Sequence, residues 1–359
     1  MDARIAVAAG DGIGKEVMPE ALRVLAEIQS RCGHRFTYDS TLVGGCAIDA
    51  HGVALPEEAM ELFDEVGIVL FGACGGPEWD HVPAAERPER ALATIRKEFD
   101  LFVNLRPVRA RKSLAPVLPV KDRIVGEGLD FVIVRELAGG IYYGEPHGIV
   151  EGADERRGYN TMTYTEAEIE RVLRVAYDLA RERRSHVTSV DKANMIEVSR
   201  VWREVALRVA EEYPDVETNH LLIDACALEV ILRPSQFDVL VTGNLFGDIL
   251  SDEAGSLAGS LGMLPSASYG DGDHALYEPI HGTAPDIAGQ DKANPLGMIL
   301  TAAMMLRHSL GLEAEAQAID DAVDKALEDG FRTGDIRQDG LDVVGTREMT
   351  DAVIARLDI

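Results

Sequence analysis

The sequence predicts an α/β protein with a largely parallel sheet, and three observations predict it. Short β-branched apolar runs alternate with amphipathic stretches along the chain, the pattern of strands joined by crossover helices. Several runs are apolar at consecutive positions rather than alternate ones, as strands buried on both faces are. At 359 residues the chain is long enough that two domains are expected.

The elements follow in order. Arg4 to Ala9 reads as a strand, Gly10-Asp-Gly-Ile-Gly14 as a turn, and Lys15 to Ser30 as an amphipathic helix. Val66 to Phe71 and Phe131 to Val134 are short buried-strand runs. Gly144 to Thr163 is rich in glycine and charge and leads into a β-like Asn160-Thr-Met-Thr-Tyr164, which reads as a projecting arm. Thr165 stands where it can cap a helix from Glu166 to Arg184. His186 to Val190 is a further strand, with a helix after it through Ala210, and Phe237 to Thr242 is another. Pro295 to Leu312, and on to Leu327, is mainly helical.

Hydrophobic residues make up 46% and charged residues 27%, ordinary for a soluble globular protein. The longest apolar run, Val66 to Ala73, falls far short of the ~20 residues that cross a membrane. The first residues enter a strand directly, so no secretory signal is expected. Cys32, Cys46, Cys74 and Cys226 form no C-x-x-C pair, which gives no zinc or redox motif and points to a reduced cytoplasm. The net charge of −27 argues against nucleic acid and anionic membranes as partners. Only seven of the 35 basic residues are lysines. Such an acidic surface suits high salt, where the Debye length falls to ~3 Å at 1 M. Stability and activity undiminished by removing salt would contradict that adaptation.

Asn244-Leu-Phe-Gly-Asp248-Ile-Leu-Ser-Asp252 follows an apolar strand and places two carboxylates on one helix face. Like charges four residues apart repel, so a positive group is expected between them. A hard divalent cation fits, although many acidic pairs are simply solvated. Gly10 to Gly14 matches neither G-x-G-x-x-G nor the phosphate-loop pattern, because Lys15 takes the place of the third glycine and Glu16 follows it. The fold is therefore not expected to be a Rossmann fold. Arg96, Arg106 and Arg135 are each read at an element end beside apolar sequence, and guanidinium forks suit carboxylates. Lys192, directly after a strand, can accept a proton, and Tyr142, on a glycine-flanked segment, can donate one; structural roles are also open to both. In Glu278-Pro-Ile-His-Gly-Thr-Ala-Pro-Asp286, Thr283 can cap a helix with Pro285 in its first turn. Asp286 can accept both hydroxyls of a ribose.

From Gly10-Asp-Gly-Ile-Gly14 to Gly334-Asp-Ile336, and most specifically over Asn244 to Glu253 and Glu278 to Gly289, the chain resembles the isocitrate/isopropylmalate dehydrogenase family of metal-dependent β-decarboxylating enzymes. The resemblance implies a two-domain fold of that family. The first domain would comprise residues 1–105 and 256–359 and bind NAD. The second, 106–255, would carry the metal aspartates, the arm at about 144–163 and a homodimer contact. It implies NAD-dependent oxidative decarboxylation of (2R,3S)-3-isopropylmalate to 4-methyl-2-oxopentanoate, a step toward leucine. Arg96, Arg106 and Arg135 would hold substrate carboxylates. Asp248 and Asp252 would ligate Mg²⁺ or Mn²⁺, joined by Asp224 of the other subunit. Lys192, also from the other subunit, would take the hydroxyl proton, and Tyr142 would protonate the enolate carbon. His281, Gly282, Asp286, Ile287 and Asn294 would contact the adenosine part of NAD.

The segment before Arg96 separates the family's substrates. Isocitrate enzymes carry Ser and Asn six and four positions before that arginine, where this chain has Arg90 and Leu92. Leu92 suits an apolar branch, and Glu89 matches the acidic residue of the isopropylmalate members. Ala93 replaces a common leucine and Arg90 can meet an extra carboxylate, so tartrate/D-malate and homoisocitrate remain alternatives, with a non-catalytic regulatory relative as a remote one. Asp286-Ile287 favours NAD over NADP, whose users place Lys and Tyr there.

Overall fold

A computed structural model of the chain describes residues 1–126, 128–152 and 155–359. Its strands are β1 (Asp2–Gly10), β2 (Arg35–Ser40), β3 (Ile68–Ala73), β4 (Val103–Ala110), β5 (Leu129–Glu136) and β6 (Gly148–Glu151). They continue with β7 (Arg156–Tyr159), β8 (His186–Asp191), β9 (Glu217–Leu222), β10 (Val239–Thr242), β11 (Pro265–Tyr269) and β12 (Ala275–Pro279). The chain divides into two compact units. One holds Met1–Leu101, Ala110–Asp122 and Gly255–Ile359; the other holds Phe102–Arg109 and Arg123–Ala254.

In the first unit the strands run in the order β2-β1-β3-β12-β11, parallel except for the β11–β12 pair. The helix Leu296–His308 is apolar nearly all round, and eleven of its residues from Leu296 to Leu306 are buried, as a helix surrounded by other elements must be. Gly10 is in register with Ala73, so the loops after β1 and β3 leave at the same end. The loop after β12 also leaves there, because β12 runs parallel to β3. Gly12 is required at this junction: its φ is +51°, and a Cβ would come within 2.1 Å of the Thr283 carbonyl oxygen.

In the second unit the order is β4-β5-β10-β8-β9, with β5, β10, β8 and β9 parallel. Thr242 is in register with Arg135 on one side and Val190 on the other. Residues following β5, β10 and β8 thus emerge at one carboxyl end, where open α/β sheets bind ligands. The helix Glu166–Arg181 buries Ile169, Val172, Leu173, Ala176, Tyr177 and Ala180 on one face, and Thr165 forms a full capping box with Glu168.

Four local readings are corrected. Val66 ends the helix Glu57–Val66, and β3 starts only after Gly67, whose φ of +76° closes that helix. The β-like run at 160–164 carries no strand; the arm is instead the hairpin β6–β7. Two positions in the arm, Ala153 and Asp154, lie outside the described residues. Thr283 caps no helix, because Pro285 to Gly289 form turns and the next helix begins at Leu296. Arg106 lies inside β4 rather than at an element end.

Candidate active site

Five residues singled out by sequence meet in the second unit. Arg135, only 3% exposed, is placed by β5. Its Nη1 donates to Asp248 Oδ1 at 2.5 Å, and its Nε and Nη2 both donate to Asn244 Oδ1 at 3.0 and 2.7 Å. Arg106, also buried, donates through Nε to Asn104 Oδ1 and through Nη1 to Ser251 Oγ. The same Nη1 lies 3.3 Å from Asp248 Oδ1 and 3.5 Å from Asp252 Oδ1. The positive group expected between the two aspartates is therefore supplied, within this chain, by guanidinium. Tyr142 donates its hydroxyl to Asp248 Oδ2 at 2.9 Å.

The helix Asn244–Gly255 follows β10 closely and presents Asp248 and Asp252 one turn apart. Burial holds the Asp252 carboxyl above its usual range, reinforced by the Asp248 charge and opposed by Arg106. Burial, then the Asp248 charge, raises the Tyr142 phenol, so it keeps its proton at neutral pH. Both carboxylates remain open to solvent, at 34% and 58%. Two hard oxygen donors on one helix face, with room for further oxygens, match the donor set of Mg²⁺ or Mn²⁺.

A second group forms at the far strands of the same sheet. Asp191 is in register with Leu222, which brings Lys192 and Asp224 together at 2.5 Å, Nζ to Oδ1. That hydrogen bond holds Asp224 below the ordinary carboxylate range. Buried Asp191 accepts from Arg203 and from the Ala193 amide, fixing the turn that carries Lys192.

In the first unit, Arg96 donates to Glu278 Oε1 at 2.6 Å with both side chains largely buried. Leu92, on the same helix, packs against the core around Ile95 and Phe71. Exposed Glu89 lies over Gly75, where a Cβ would meet its Oε1 at 2.4 Å. His281 is buried, with Nδ1 at 2.9 Å from the Gly282 carbonyl oxygen, and its Nε2 has no hydrogen-bond partner among the described residues. Gly282 and Asp286 are exposed and Ile287 is half-buried. Asn294 is committed inward, donating to Asp335 and accepting from the Leu296 amide. An orphaned imidazole nitrogen and an exposed carboxylate in one loop fit a nucleoside with a base nitrogen and a ribose diol.

Sequence reasoning passed over Asp11, Glu136, Tyr164, Asn244 and Glu278 as site residues. Asp11 is fully buried, and its two oxygens accept from the Gly45, Cys46 and Gly75 amides, tying three loops together. An acidic residue between two glycines at a strand end was the available signal. Glu136 is fully buried beside Arg135, and burial pushes its carboxyl up to about 7 from 4.5. The folded state therefore binds this proton more tightly than the unfolded chain. The stability Glu136 contributes is present below about 4.5 and is lost as pH rises through about 7. Urea unfolding at pH 5 and pH 8 should show Glu136→Gln losing less stability over that interval than wild type. An equal loss in both would reject the buried-proton account.

The family model for isocitrate/isopropylmalate dehydrogenases matches residues 4–353. The 3-isopropylmalate dehydrogenase of Aquifex aeolicus is 51% identical over 355 residues, covering 99% of this chain and 97% of that one. That of Geobacillus kaustophilus is 54% identical over 350 residues, covering 98% and 94%. The crystal structure of isocitrate dehydrogenase from Methylococcus capsulatus superposes with a TM-score of 0.88 at 32% identity, covering 99% of each chain. Model, relatives and fold agree over almost the whole length, and the chain belongs to the isocitrate/isopropylmalate dehydrogenase family.

Proposed function

We propose that the protein oxidises and decarboxylates 3-isopropylmalate with NAD and a divalent cation, giving 4-methyl-2-oxopentanoate for leucine synthesis. The observation that carries this reading is full-length identity above half to relatives named for that reaction. The Arg135–Asp248–Tyr142 cluster supports it chemically. When bound, Mg²⁺ or Mn²⁺ would stabilise negative charge on the substrate's oxygens, and the nicotinamide would accept the hydride. Asp248 and Asp252 would hold the cation. Arg106 and Arg135, which stand beside the aspartates, would donate to the substrate's carboxylates, with Arg96 adding to them. Lys192 would take the hydroxyl proton as the carbon is oxidised, and Tyr142, kept protonated, would return a proton to carbon after CO₂ leaves. His281, Gly282, Asp286, Ile287 and Asn294 would form the adenosine site of an NAD-binding first domain.

We also propose a homodimer that shares its sites, with Asp224 and Lys192 crossing to the partner. Leu228 and Leu232 on the helix Ile223–Leu232, Ile249 on the helix Asn244–Gly255, and Ile149 on the arm are 45–62% exposed, as side chains awaiting an interface are. Among the described residues no helix is long and apolar enough to cross a membrane, which accords with a cytoplasmic enzyme.

The test is NADH formation from purified protein with Mn²⁺ and isopropylmalate, run beside isocitrate, homoisocitrate and D-malate. Isopropylmalate should lead by at least about tenfold in kcat/KM, the worth of one or two methylene contacts at Leu92. Homoisocitrate ahead would favour the role of Arg90, and no NADH from any diacid would reject the activity.

A further inference from the structure

We propose that Tyr164 and Glu136 are positioning residues that aim Arg135 and the Tyr142 segment through Asn244. The proposal rests on Arg135 being a substrate-binding arginine.

Asn244 is the hub. Its side-chain oxygen accepts twice from Arg135, and its side-chain nitrogen donates to the Leu137 and Gly139 carbonyls at 3.0 Å each. One amide thus orients the guanidinium and pins the backbone leading to Tyr142. Asn244 is 1% exposed and opens its helix, so its own amide lacks a helical acceptor. Tyr164 Oη accepts that amide at 2.8 Å.

The tyrosine is held in turn. Its ring and the Glu136 carboxylate flank Gly139, where a Cβ would fall 2.7 Å from Tyr164 Cε1 and 3.4 Å from Glu136 Oε2, and Glu136 Oε1 and Oε2 accept from the Ala138 and Gly139 amides at 2.9 and 3.0 Å. Trp202 packs edge-on against the Tyr164 ring at 5.7 Å. Gly140, with φ +78°, lets the ring approach: a Cβ there would fall 2.4 Å from Tyr164 Oη. Tyr164 therefore braces both the start of the aspartate helix and the segment bearing Tyr142.

A displacement of about 1 Å at such a site can cost roughly 10²-fold in rate. The effect should be selective, because the NAD loop belongs to the first unit.

The experiment is steady-state kinetics with Mn²⁺ on Tyr164→Phe, Asn244→Ala, their double variant and Arg135→Lys, each well below its melting temperature. Tyr164→Phe should raise KM for isopropylmalate about tenfold and leave KM for NAD within about twofold. Adding it to Asn244→Ala should change KM by less than about twofold, because the two act through one contact. Glu136→Gln should reproduce the Tyr164→Phe pattern, and it serves as the test should Tyr164→Phe not fold. A lowered melting temperature with unchanged KM for isopropylmalate, or full additivity with Asn244→Ala, overturns the proposal. A response at Arg135 with none at Tyr164 rejects the relay alone. No response at Arg135 rejects the assignment of the arginine itself, and the relay with it.

Discussion

Replacing Asp248 with asparagine is expected to lower kcat/KM by roughly 10³ or more, about 4 kcal/mol of transition-state stabilisation. Asp248 accepts from Arg135 and Tyr142 and lies 3.3 Å from Arg106. It is also one of the two carboxylates proposed to hold the cation. Asparagine keeps the shape and one acceptor oxygen but removes the charge that both arginines face. The fold should survive: weakening hydrogen bonds to a charged group costs about 1–3 kcal/mol, readable by urea unfolding. Mn²⁺ affinity, followed by electron paramagnetic resonance, should fall together with kcat/KM. Activity within tenfold of wild type would reject Asp248 as a metal ligand.

Lys192→Met should separate chemistry from structure more cleanly. Its partner Asp224 has a 66% exposed side chain, so losing this solvent-screened ion pair should cost little stability. Loss of a general base, by contrast, is expected to reduce kcat by roughly 10²–10⁴. Mn²⁺ and NAD affinities should be unchanged, and near-normal turnover would rule out the role. The same variant tests whether two chains share a site. Lys192→Met and Asp248→Asn subunits, unfolded together and refolded, should regain up to roughly a quarter of wild-type activity, because half the dimers are mixed and each carries one intact site of two. No recovery would mean that each chain supplies its own lysine.

Much of this architecture was legible because its signals are local. The buried-strand runs at 131–134 and 186–190 and the Thr165 cap are each settled within a few residues, and each has its counterpart in β5, β8 and the helix Glu166–Arg181. The i,i+4 aspartates announced a need for positive charge on the same basis. The identity of the charge that meets it was not legible, because Arg106 and Arg135 lie more than 100 positions away in sequence. The grouping of Asn244, Tyr164 and Glu136 was hidden for the same reason: the Asn244–Tyr164 hydrogen bond spans 80 residues, and no periodicity relates the segments it joins. The loop at 281–289 misled for the opposite reason. Its Thr283 and Pro285 satisfy the local rule for a helix start, yet the Thr283 carbonyl takes the Ile13 amide at 2.8 Å, and that distant contact is served by a turn.

The placement of β12 between β3 and β11 has a consequence for biosynthesis. Ile68 pairs with Ala275, so β3 waits for a neighbour that the ribosome delivers some 207 residues later (275 − 68). At ~5–20 residues per second that is roughly 10–40 s during which a hydrophobic strand edge stays open, the kind of edge that invites misassociation. Residues 123–254, by contrast, have all been synthesised before β12 appears. Nascent chains stalled near residue 260 should thus show the second unit resistant to brief proteolysis and the first unit cleaved. Protection of both would mean that the early strands find a temporary cover.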